Sequence, residues 1–210
     1  MEIVYIFDGG DTPPSGLDAM TVSSSKGLTI YEAWNLALAC CQTPYVMNLN
    51  LDDRLNTNAV ELMEIYLEAQ NADLVGGDWK ICHTQLETDM VSNCYEIAHL
   101  PYIPDWPPKQ DALTRLGSGT GERGTYGPAT LWKLENHIQI PRYPYRTDDG
   151  LKIRGISDSI WWTLLEHQFK KKIVRMPIIV GNYYSHPESQ AEFRVDDEWA
   201  LIRDKRISLI

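Results

Sequence analysis

With 210 residues, 43% of them hydrophobic and 10% aromatic, the chain has material for one sizeable core, or a core with a small appended lobe, and a single domain is the expectation. Its formal charge of -10 argues against a duplex nucleic-acid binder, because neutralising backbone phosphates requires clustered Lys and Arg; an anionic substrate would instead need a metal ion. Cys40, Cys41, Cys82 and Cys94 contain no CxxC pair, no charged and apolar leader opens the chain, and no apolar run approaches the roughly 20 residues of a membrane span, so a soluble cytoplasmic protein is expected.

In chain order, Glu2 to Phe7 is a β-branched and aromatic run, read as a buried strand that stops at the turn Asp8-Gly9-Gly10-Asp11. Thr29 and Glu32 have the spacing of a capping box, and Ala33, Trp34, Ala37, Leu38 and Cys41 fall on one face of the helix it starts, which Pro44 ends. Pro44 to Leu55 reads as an apolar strand running directly into Asp52 and Asp53. Paired acids at the carboxyl edge of a sheet are hard oxygen ligands for a divalent cation carrying a nucleotide diphosphate. Ala59, Leu62, Met63, Tyr66 and Leu67 then repeat at helical spacing, and Ala72 to Val75 begins a strand leading into Gly76, Gly77, Asp78 and Trp79. Alternating strands and helices predict an α/β fold with a mostly parallel central sheet flanked by helices.

From His83 to Arg146 the pattern is less regular, with Pro101, Pro104, Pro107 and Pro108 followed by five glycines in eleven residues between Gly117 and Gly127, read as a mobile flap. No strand–helix context supports a dinucleotide fingerprint there. Asp158 opens a helix whose Trp161, Leu164, Leu165 and Phe169 share a face, and Lys172 to Val180 is a strand. Tyr183, Tyr184, His186, Ser189 and Gln190 are read as a loop, before a charged and poorly patterned end. No internal repeat is visible.

Taken together, EIVYIFDGGD, KGLTIYEAWNLAL with TPYVMNLNLDDRL, ADLVGGDW, GPATLWKLE, GISDSIWWTLLEHQF and NYYSHPES resemble, in order and spacing over nearly the whole chain, the family 2 glycosyltransferases of the GT-A fold. The resemblance implies one GT-A domain over residues 1–210, with residues 1–80 a nucleotide-binding half and 81–210 an acceptor-binding half. It also implies transfer of a sugar, with inversion, from a nucleotide diphosphate donor, a UDP-sugar by resemblance alone, to a glycan or other hydroxyl acceptor. The family's opening strand and helix have no counterpart before Glu2. Asn50 stands where the family often has the first acid of Asp-x-Asp, and Ser157 stands where it has the first acid of Glu-Asp.

By resemblance, Asp52 is the first choice for coordinating Mn2+ or Mg2+, Asp53 the second because neighbours on a strand face opposite ways, and His186 completes the metal shell. Both acids also fit a turn or an N-cap. Asp8, Gly9, Gly10, Asn35, Asn50 and Asp52 are the candidate nucleotide contacts, although Asp8 equally suits a turn. Asp158 is the candidate base and also a candidate cap. Trp79, Trp132 and Trp161 are candidate acceptor or sugar platforms, with core positions as the alternative. Arg123 in the flap is a candidate phosphate contact. Two rival readings stand beside the enzyme: a degenerate nucleotide-sugar or glycan binder, and a subunit completed by another chain, including a homo-oligomer.

Overall fold

A computed structural model describes residues 1–82, 84–96, 122–124, 129–139, 143–184, 198 and 200. The chain divides into two compact units, each assembled from separated stretches. The first combines Met1–Val46, Leu134–Leu164 and Phe193–Ile210; the second combines Met47–Lys133 and Leu165–Glu192. The units therefore interleave along the sequence.

In the first unit, β1 (Val4–Phe7) pairs in parallel with β2 (Met20–Ser23), Val4 opposite Met20. Helix α1 (Ile30–Leu38) starts at the predicted capping box: the Glu32 N–H donates to Thr29 Oγ1 at 3.2 Å and the Thr29 N–H donates to Glu32 Oε2 at 2.8 Å, satisfying two N–H groups the helix cannot. Its fully buried positions are Tyr31 and Asn35, one turn apart; Ala33, Trp34, Ala37 and Leu38 are half-buried, so the inward face is rotated from the one expected from hydrophobicity. Glu32 also receives Arg146 and Lys152, each at 3.2 Å, which ties the cap to the turn bridged by Arg146 and Lys152. Later in the unit come α4 (Glu135–Gln139) and α5 (Ser157–Thr163); the π-helical turn Leu164–Gln168 that follows α5 lies, from Leu165 on, in the second unit.

The second unit is built on β5 (Leu74–Cys82), nine residues that extend the expected strand through Gly76, Gly77, Asp78 and Trp79. Strand β8 (Ile173–Tyr184) runs parallel to it, while β6 (Glu122–Gly124) and β7 (Thr130–Lys133) pair with it antiparallel and β4 (Arg54–Leu55) pairs antiparallel with β8. The α/β expectation holds, but this sheet is mixed and not mostly parallel, because the irregular stretch of the sequence supplies two antiparallel strands. Short strand β3 (Tyr45–Met47) crosses from one unit to the other.

Helix α2 (Ala59–Ala69) buries Ala59, Met63 and Leu67 completely, the four-residue spacing of one face, and packs on β5. It ends where Asn71 takes a left-handed φ of 46°, with the Asn71 N–H on the Glu68 carbonyl and the Ala72 N–H on the Leu67 carbonyl. Inside the sheet, Asp78 and Arg175 form a buried two-pronged pair, both contacts 2.6 Å. Burial raises the Asp78 carboxyl above its ordinary range, and Arg175 opposes the rise. No helix among the described residues is long and apolar enough to cross a membrane.

Candidate functional site

Strand β3 ends at Met47, so the acids do not sit on a strand end as expected; they lie in a turn leading to β4, in which the Asp53 N–H donates to the Asn50 carbonyl at 3.3 Å. Arg54 stiffens this turn by donating to the Leu51 and Asp53 carbonyls, both at 2.8 Å, and to Asp89 of helix α3 (Gln85–Asp89) at 3.0 Å. The approach of β4 to β8 depends on Gly181, since a Cβ there would run into the Arg54 carbonyl and the Trp79 ring. Beyond it, Asn56 Nδ2 donates to the Ile179 carbonyl at 3.1 Å, and Asn56 Oδ1 accepts the Ser92 N–H at 3.1 Å.

The turn gives its two acids opposite environments. Asp52 is exposed. Asp53 is 2% exposed; its Oδ1 accepts the Tyr184 N–H at 3.0 Å, while its Oδ2 is buried with no hydrogen-bond partner among the described residues. Burial pushes the Asp53 carboxyl up to about 7, and the Asp52 charge adds to the rise. The Tyr184 N–H and Arg54 oppose it, as does Asn50, whose side chain lies close enough to favour the ionised form without completing a bond to Oδ2. A buried carboxylate oxygen without a donor is costly unless it is protonated or receives a cation. Asp53, through this oxygen, and its chain neighbour Asp52 are the side chains of this turn that could hold a divalent cation. No group of three or more His, Cys, Asp or Glu side chains among the described residues forms a ready cation cage, and His186 lies outside those residues.

In the first unit, Asp158 sits in the opening turn of α5, half-buried, where its Oδ1 accepts the Tyr31 hydroxyl at 3.2 Å. Ser157 before it is fully buried, and its Oγ has no partner among the described residues; an ionised acid at that position would stand in the same dry surroundings. Around Asp158 lies an aromatic cluster: Tyr31 meets Trp34 edge-on at 5.3 Å, Trp34 meets Tyr143 at 5.4 Å, and His137 stacks on Trp161 at 4.7 Å with 7° between the rings. Burial lowers His137 to about 4, so its ring is neutral near pH 7. Glu198 accepts the N–H groups of Arg154 and Gly155 at 2.7 and 2.8 Å, holding the chain just before α5.

Several expected contacts take structural positions. Asn35 spends both ends of its amide on the Tyr143 backbone, accepting its N–H at 3.1 Å and donating to its carbonyl at 2.9 Å, so the nucleotide role assigned to it is corrected to an anchor. Trp79, Trp132 and Trp161 have 0% exposure and are core residues, with no face open to a sugar. Asp8 ends β1 in the expected turn, but its Oδ2 accepts the Leu28 N–H at 2.6 Å and so holds the approach to α1. Gly9 and Gly10 follow it with φ of 64° and 96°, exposed and left-handed, which glycine adopts freely. Tyr183 and Tyr184 belong to β8 and not to a loop, while Ser189, Gln190 and most of the glycine-rich segment lie outside the described residues. The backbone of Glu122–Gly124, which includes Arg123, is strand β6.

Asp8, Gly9, Gly10, Asn35, Asp158 and Trp161 thus fall in the first unit, and Asn50, Asp52, Asp53, Trp79 and Trp132 in the second. Tyr31 and His137 were not anticipated. Tyr31 carried a usable signal, as the second residue of a capped helix among strongly apolar neighbours; His137 carried none.

No family model matches the chain, and no curated protein does. Solved structures do. A crystal structure of residues 1–349 of TarS from S. aureus matches with a TM-score of 0.55 at 10% identity, over 87% of this chain and 51% of that one. A crystal structure of a mycobacterial protein matches with a TM-score of 0.54 at 14% identity, over 90% of this chain and 59% of that one. The chain spans between half and three-fifths of the length of these proteins. At such identities the likeness concerns the fold alone, which is an α/β fold of the GT-A type.

Proposed function

We propose that the protein is a metal-dependent inverting glycosyltransferase that moves a sugar from a nucleotide diphosphate donor, a UDP-sugar, to a hydroxyl acceptor such as a glycan. The observation that carries the reading is the acidic turn: a buried Asp53 oxygen without a partner, next to exposed Asp52, on a glycosyltransferase-like fold. Asp53 and Asp52 would hold Mn2+ or Mg2+, with His186 as a further ligand. The bound cation would supply positive charge for the diphosphate. Asp158 accepts the proton of the acceptor hydroxyl as that oxygen attacks the anomeric carbon; the bond to the diphosphate breaks on the opposite face, so configuration inverts. Asp8, Gly9, Gly10 and Asn50 are the remaining candidates for the base and ribose, and Trp34, half-buried beside Tyr31, replaces the core tryptophans as the aromatic candidate for a sugar ring. The charge of -10 remains a reason to expect no nucleic-acid partner.

Calorimetric titration with UDP in Mn2+ and then in EDTA tests the metal role. Binding should weaken by at least about tenfold in EDTA, and Asp53→Ala should abolish the difference. Equal affinity in both conditions would remove the metal from the acidic turn.

A further inference from the structure

Tyr31 is 3% exposed, and its ring is fixed by Trp34 edge-on at 5.3 Å and by Tyr143 at 6.0 Å. From that packed position its hydroxyl reaches Asp158 Oδ1 across 127 residues of sequence, at 3.2 Å. A buried phenol with its ring pinned on two sides aims its O–H at one point, and the acceptor at that point is the carboxylate assigned to proton removal. We infer that Tyr31 is a positioning residue for Asp158, holding Oδ1 and with it the orientation of the carboxylate toward the acceptor hydroxyl; this inference rests on the transferase reading.

Two physical consequences make the role specific. A neutral donor on Oδ1 favours the ionised carboxylate, the form a proton acceptor needs, and restricts rotation about the Cβ–Cγ bond. Burial, then the Asp158 charge, push the Tyr31 phenol well above its ordinary value, so it stays a donor throughout the neutral range. Among the described residues, titratable groups that act on the pair include Tyr143, whose phenol is also raised by burial and by Asp158, and Glu198, whose charge acts on Tyr31. His137 packs against Tyr143 and is neutral near pH 7.

Tyr31→Phe keeps the ring and removes the donor. Carbon-detected NMR titration of the carboxyl groups, with the Asp158 signal assigned by its loss in Asp158→Asn, should show the Asp158 midpoint rising by about one pH unit. The acid limb of the transfer rate should move in the same direction, with kcat down about tenfold and the donor KM unchanged. A merely structural tyrosine would leave the acid limb of the transfer rate and kcat unchanged at constant fold. An unmoved Asp158 midpoint in folded Tyr31→Phe overturns the positioning role whatever the activity. A moved midpoint with transfer unaffected by Asp158→Asn also overturns it, and in that case the fault lies in the assignment of the base and not in the hydrogen bond.

Discussion

The two carboxylates at the centre of this account, Asp158 in the first unit and Asp53 in the second, differ in what the fold gives them. Asp158 is half-buried and has a dedicated donor in Tyr31. Asp53 is almost fully buried, receives one N–H on Oδ1 and leaves Oδ2 without a partner, so burial drives its carboxyl to about 7. A carboxylate furnished with a neutral donor is oriented by it. One left half-furnished in a dry turn is poised for a positive ion. Asp78 provides the internal control: equally enclosed, it has a complete partner in Arg175 and is a structural pair.

The largest effect should come from breaking that control. Asp78→Ala removes the two-pronged carboxylate partner of the buried Arg175 guanidinium and should cost about 3–5 kcal/mol, read as a fall in the denaturant midpoint. Loss of less than about 1 kcal/mol would show that the pair is solvated and that the contrast with Asp53 is false.

Asp158→Asn separates chemistry from binding. Transfer should fall by roughly 100-fold or more while UDP and Mn2+ affinity persist, since the side chain keeps its size and loses only its basicity. Joint loss of binding and stability would make Asp158 a cap or donor contact, and unchanged transfer would move the base elsewhere, with Asp148 or Asp149 next.

Asp53→Asn should change stability in a pH-dependent way. The folded carboxyl titrates near 7, above the ordinary unfolded value of about 3.9, so the folded state holds a proton that the unfolded state has released between those pH values. The cost to folding therefore grows as pH rises from about 4 to 7 and is fully present above 7; it vanishes at low pH. Asp53→Asn should thus stabilise the metal-free protein by roughly 2 kcal/mol at pH 8 and have little effect on stability at pH 4, measured by thermal melts. Added Mn2+ should raise the melting temperature of the parent and not of the variant. A variant less stable at pH 8 than at pH 4, relative to the parent, would contradict the unpaired state of Asp53.

What the sequence made legible was local. The Thr29–Glu32 box and the α2 face of Ala59, Met63 and Leu67 are set by residues within a few turns of each other, and both appear as expected. Where tertiary contact decided, the reading failed. The strand expected to lead into Gly76 and Gly77 continues through them to Cys82, with a register shift against β8 just after Gly77, where Val180 occupies the space a side chain would need. Strand alternation ranked Asp52 over Asp53, whereas a turn fixes their environments, and its geometry depends on Gly181 and Tyr184 more than 120 residues later. The tryptophans looked equally suited to a sugar and to a core, and only packing separated them. Tyr31 and Asp158 meet across a comparable span, so their contact has no local trace in sequence.

The most direct test of the central claim is UDP release from UDP-sugars, measured with Mn2+, with EDTA and with Mn2+ restored. The account predicts saturable turnover that EDTA abolishes and Mn2+ restores, lost in both Asp53→Ala and Asp158→Asn, with the former alone losing the metal dependence of UDP binding. Turnover indifferent to EDTA would contradict the metal role of the acidic turn. No turnover from UDP-, GDP- or TDP-sugars by the folded protein in Mn2+, with glycan acceptors present, would contradict the transferase itself.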